Sequence, residues 1–215
     1  SWDQRAYFLN SFEQGDHWTP GVMEASQLFI DRIDFGLDAR SLVGTPSNTV
    51  FSNYLVAKPV FWREWLTLAD RLVESADEAD SRLARLLNGT TRYVSGGAAE
   101  AGLKVFVQER LACMLLSRWQ FRVGSFELQA EALPSQGLFV DDARNKALLQ
   151  ECERMKTRFT ETQDGQYLAI YADLRRQVRT VLPIPVNVDL TSARYSIVAA
   201  LARALRSWQT LFIGR

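Results

Sequence analysis

The residues best placed to do chemistry are two acids, two bases, one asparagine and the single histidine of the chain. In EQGDHWTPG, residues 13–21, Asp16 and His17 stand just ahead of a helix start signalled by Thr19-Pro20. Free backbone N–H groups and the helix dipole attract an anion there, so a phosphate or sugar would lie within acid–base reach of either side chain. The structural alternative is that Asp16 and Thr19 only cap and brace the helix. In SNTVFSNYLVAKPVFWREW, residues 47–65, Asn53 falls inside a strand-like run from Thr49 to Val56. Its amide donates and accepts at once, which suits a hydroxyl-rich ligand and equally a satisfied buried position. Lys58 stands at the break before Pro59, where an ammonium either neutralises a diphosphate or is simply solvated. Glu109-Arg110 interrupts the apolar run LKVFVQERLACMLL, residues 103–116. Charges so placed need partners, either an ion pair that staples the helix to a loop or a ligand hydroxyl held by Glu109.

Several chemistries are excluded by residue type and spacing. With His17 alone, a histidine-based metal site would need acid or thiol partners at recognisable spacing, and none occurs. No GxSxG elbow supports a serine triad. Gly97 to Gly102 is followed by Leu103-Lys104, whereas a phosphate loop needs the lysine directly after its second glycine.

Lysine plus arginine and aspartate plus glutamate number 25 each, so the net charge is zero and a generic nucleic-acid binder is disfavoured. Cys113 and Cys152 sit among apolar residues as free buried thiols would, which fits a cytoplasmic location. No apolar run is long enough to span a membrane. The opening SWDQRAYFLN has neither an initiating methionine nor a signal-peptide layout, as expected of a processed chain or a piece of a longer one.

The elements that must position these residues follow from hydrophobic period and punctuation. Residues 1–19 are mixed and aromatic-rich. A helix is expected from Thr19-Pro20 to about Arg32, then a strand over 49–56. A helix from Pro59 runs toward Leu87, with ESADEADS at 74–81 as a solvated face or a break, ending at Asn88-Gly89. A loop covers 90–102, and one helix covers 103–116 with Leu103, Phe106, Val107, Leu111, Met114 and Leu115 inward. A strand or hairpin arm is expected at 119–128, and helices at about 141–159, 165–181 and 191–213. Trp62 and Trp65 read as core rather than as a sugar-stacking platform. The whole is a mainly helical α/β chain, a few short strands packed with about six helices, with 1–215 treated as one domain.

Taken in order, EQGDHWTPG, TVFSNYLVAKPVFWREWL and LKVFVQERLACMLL resemble the C-terminal half of bacterial capsule and O-antigen glycosyltransferases of GT-A-like fold. Asn53, Lys58, Phe61 and Trp62 match an Asn-aromatic-aliphatic segment that enters a helix at P-x-F-W. Phe106, Glu109, Arg110 and Leu111 match a later Phe-x-x-Glu-Arg-Leu helix. The resemblance covers residues 10–118, leaving 119–215 as a helical extension. It implies sugar transfer from a nucleotide-sugar donor to a growing surface glycan, in the cytoplasm or at the periphery of the inner membrane. It further implies Asp16 as the base on the acceptor hydroxyl with His17 in support, Asn53 and Glu109 on sugar hydroxyls, and Lys58 or Arg110 on the diphosphate. The nucleotide-binding sheet and Asp-x-Asp motif of such enzymes are not in this sequence; Asp141-Asp142 is adjacent and reads as a cap. A fragment of a longer transferase is therefore expected, with manganese or magnesium as the metal the family would use. The alternative is a noncatalytic helical module that docks on a partner or on a missing N-terminal domain.

Overall fold

The computed structural model describes residues 2–51, 55–92, 100–118, 121–124 and 138–181. The chain treated above as one domain divides into two compact units, residues 1–136 and 137–215. The described residues are mainly helical, with one two-stranded sheet. Asn53, most of the arm expected at 119–128 and the helix expected at 191–213 lie outside the described residues.

The first unit opens with α1 (Trp2–Tyr7) and α2 (Ser11–Trp18), where the sequence suggests only a mixed segment. Asn10 makes α2 start. Its Oδ1 accepts from Phe12 N and Glu13 N at 2.9 Å each, which satisfies two of the helix's unbonded donors. The Asn10 amide also donates to Ala39 O and Leu42 O, and so ties the same turn to a distant loop. Glu13 reaches back to accept from Leu9 N at 2.6 Å.

Thr19 does not open the next helix as expected; it closes α2, its N–H bonding to Gly15 O at 2.8 Å. The next helix, α3 (Val22–Arg32), starts after Gly21, whose φ of 100° is the left-handed conformation that favours glycine.

The strand expected over 49–56 is absent from its described residues, 49–51 and 55–56. A strand needs a partner ladder. Here Asn48 and Thr45 form a turn instead, and Val50 N donates to the Cys113 thiol at 3.3 Å.

Proline at the first position starts α4 (Pro59–Asp77), and residues 78–81 separate it from α5 (Arg82–Asn88), so the acidic interval is a break. The loop expected at 90–102 instead carries β1 (Thr90–Arg92) antiparallel to β2 (Glu100–Gly102), with Thr91 opposite Ala101. Three-residue strands are too short for alternation to show in sequence.

The helix expected at 103–116 is two helices, α6 (Leu103–Gln108) and α7 (Leu111–Arg118), with a corner at Glu109-Arg110. The six apolar positions expected inward are all buried. They pack with Phe12, Phe29 and Ile30 from α2 and α3 and with Phe61, Leu68 and Leu72 from α4. At about 1.5–3 kcal/mol for each fully buried side chain, this core dominates the unit's stability. Trp62 and Trp65 rest half-buried against it, ring centroids 5.9 Å apart and edge to face.

The described residues of the second unit, 138–181, carry a helical hairpin of α8 (Ala143–Thr162) and α9 (Gly165–Gln177). Asp142 caps α8 by accepting from Asn145 N at 2.8 Å, and Asp164 caps α9. The fully buried Asn145 amide donates to Val140 O (2.9 Å) and Arg179 O (2.7 Å) and accepts from Arg179 N (2.9 Å). It thereby joins the segments flanking the hairpin. Asn145→Ala leaves those backbone groups without their side-chain partner and should cost about 2–3 kcal/mol, measured by urea unfolding.

Candidate functional site

The first and third motifs meet at the α6–α7 corner, and the corner exists because of one side chain. In a continuous helix, Arg110 N would bond to Phe106 O. Here Arg110 N bonds to Val107 O at 3.0 Å, and the Phe106 carbonyl accepts from the Arg110 guanidinium instead. The guanidinium replaces the backbone bond it interrupts. It then extends to α2, where Nε donates to Ser11 O at 2.9 Å and Nη2 lies 3.3 Å from Gln14 Oε1. Glu109 Oε2 sits 3.6 Å from Nη1.

Arg110 is 6% exposed, and burial lowers its pKa, while the negative charges of Glu109 and Asp16 oppose that shift. Partner carbonyls and carboxylates together make a buried cation tolerable. Gly15 is the close-approach position: a methyl there would overlap Nη2, Cζ and Nε of Arg110. Below the guanidinium, the buried Cys113 thiol contacts Ser11 and Val50, and burial pushes its pKa up.

Asp16 and Glu109 thus lie in electrostatic reach of one cation, from positions 93 residues apart in the chain (109 minus 16). Asp16 Oδ1 accepts from Gly21 N (2.9 Å) and Met23 N (3.1 Å), so the anion at the α3 N-terminus is its own carboxylate. Its Oδ2 makes no hydrogen bond among the described residues, and the residue is half-buried. Glu109 is likewise half-buried.

His17 packs against Phe8 and Trp18 at 5.4 and 4.8 Å between ring centroids. Lys58 is the exposed N-cap of α4, and its side chain makes no capping bond. Sequence reasoning misses Gly15, Ser11 and Gln14, and reads Cys113 only as the free buried thiol it is. Only Gly15 carried a signal, as a glycine inside what proves to be a helix.

Among the described residues no group of His, Cys, Asp and Glu is placed to hold a metal ion. Asp142 serves as a helix cap. No helix of the described residues is long and apolar enough to cross a membrane.

The second unit holds a separate buried group. Lys156 and Arg175 are buried beside Tyr171, with Nζ 5.7 Å from the ring centroid and Nη1 3.5 Å from the hydroxyl. Burial pushes the neighbouring Cys152 thiol up to about 12 against the opposing charges of Lys156 and Arg175. The native state therefore holds the neutral thiol while the unfolded chain ionises from its ordinary value of 9.0. That stability is complete below about pH 9 and is lost as pH rises toward about 12. Over that window, stability should fall by about 1.4 kcal/mol per pH unit more in the wild type than in Cys152→Ala.

No known protein-family model matches the chain, and comparison with curated proteins and with solved structures finds no match.

Proposed function

We propose that this chain is the glycan-proximal part of a bacterial glycosyltransferase, moving a sugar from a nucleotide-sugar donor to a growing surface glycan in the cytoplasm or beside the inner membrane. One observation carries the reading: the buried Arg110 guanidinium reaches Ser11 O and Gln14 of the helix that bears Asp16 while Glu109 lies 3.6 Å from it, so the first and third resembling motifs meet. Half-buried carboxylates suit recognition and deprotonation of sugar hydroxyls. In this reading Asp16 Oδ2 takes the proton of the acceptor hydroxyl, with His17 beside it in the chain as support. Glu109 and Asn53 orient sugar hydroxyls. Arg110 has its guanidinium engaged by Ser11 O, Phe106 O and Glu109, so it acts by holding Glu109. Lys58, exposed, is then the cation for the departing diphosphate.

Calorimetric titration with a panel of nucleotide sugars, with and without manganese, tests this. At least one should bind, and Glu109→Gln should weaken it about tenfold or more with the fold intact. Silence across the panel removes the claim that this chain binds the donor. Unchanged binding in Glu109→Gln makes Glu109 structural.

An exposed aromatic patch on residues 1–18 would favour the rival reading, a noncatalytic interaction module. Tyr7, Phe8 and Phe12 are buried, and Trp2 and Trp18 are half-buried. What favours the rival is elsewhere, in the apolar side chains left on the outer face of α4.

A further inference from the structure

Helix α4 carries two apolar stripes, and the core of its own unit uses only one. Phe61, Leu68, Leu72 and Ala76 point inward. A second set, Trp62, Leu66, Ala69 and Val73, repeats at four-three-four spacing about 100° further round the helix. Leu66 is 54% exposed and Val73 56%, while Trp62 and Ala69 touch the core only in part. Arg63 and Asp70 line the open flank of this stripe, seven residues apart and both exposed. Neither forms an ion pair among the described residues.

We infer that this face binds a second copy of the chain, α4 packing antiparallel on α4 about a twofold axis between Leu66 and Ala69. That symmetry puts Leu66 opposite Ala69 of the other copy and Trp62 opposite Val73. In an antiparallel pair like flanks meet, so each Arg63 comes beside Asp70 of the other copy, with Glu74 one turn on. A parallel pair brings opposite flanks together, which turns Arg63 and Asp70 toward the core-facing side of the other helix and leaves them without a charge partner, so the charges favour the antiparallel arrangement. Four apolar side chains from each copy fall short of the roughly 800 Å² per partner of a standard interface, which makes the dimer weak and readily reversible. The pairing does not depend on the sugar-transfer reading.

Sedimentation velocity on the full chain, from about 2 to about 200 µM, reads it out. The expected result is a monomer–dimer equilibrium with Kd in the tens of micromolar. Leu66→Glu should leave monomer throughout, and Arg63→Asp should raise Kd about tenfold or more. Combining Arg63→Asp with Asp70→Arg should restore Kd to within about threefold of wild type. All three changes are at exposed positions, and circular dichroism checks that helicity is kept. A monomer at the highest concentration, or association indifferent to Leu66→Glu, overturns the inference. A charge swap that fails to restore association overturns the antiparallel register.

Discussion

Arg110→Ala should lower the stability of the first unit by about 3–5 kcal/mol, the scale for breaking a buried charge pair. The loss has three physical parts. Ser11 O and Phe106 O are left with no side-chain donor in a buried site. Asp16 and Glu109 lose their common counter-charge. The volume left between α2 and the α6–α7 corner must collapse or fill with water. Arg110→Lys should recover only part of the loss, since one ammonium cannot span Ser11 O, Phe106 O and Gln14 as a planar fork does. Urea unfolding followed by tryptophan fluorescence reports mainly on this unit, which contains five of the six tryptophans, Trp2, Trp18, Trp62, Trp65 and Trp119. A loss under about 1 kcal/mol would mean that the guanidinium does not hold the corner.

Gly15→Ala should be destabilising by about 2 kcal/mol, against the trend for an exposed helix interior. Glycine inside a helix costs up to about 1 kcal/mol relative to alanine, so propensity alone predicts a gain. Here the added methyl would overlap the guanidinium, and an arginine pinned by two backbone carbonyls cannot swing aside as a free one would. Overlap of a buried, bonded group outweighs propensity.

The legible parts of the fold were those set by a long, regular apolar stripe. Helices α3, α4, α8 and α9 lie close to their expected spans, and the stripe from Leu103 to Leu115 is buried throughout. The α6–α7 corner was hidden because the apolar spacing continues across Glu109-Arg110 unbroken. The break comes from a side chain bonding a carbonyl of its own helix and one 99 positions away, from Ser11. Helices α1 and α2 were hidden for the opposite reason. Much of what they bury is polar: Asp3, Gln4, Asn10, Ser11 and Glu13. Hydrophobic periodicity cannot register a face made of buried polar groups.

Thr49 to Val56 misled through β-branched composition, since no partner ladder meets its described residues. At the site, sequence marked Glu109 and Arg110 as residues needing partners and Asp16 as an acid–base candidate or a cap. That they share a neighbourhood followed only from the packing of α2 on the corner.

The most direct test of the account is a double-mutant cycle between Gly15 and Arg110, each step measured by urea unfolding. Its central claim is that the Arg110 guanidinium, seated over Gly15, is what brings the first and third motifs together. Gly15→Ala should cost about 2 kcal/mol in the wild type and be neutral, or stabilising by up to about 1 kcal/mol, once Arg110 is alanine. A cost for Gly15→Ala that is the same in both backgrounds would contradict the claim.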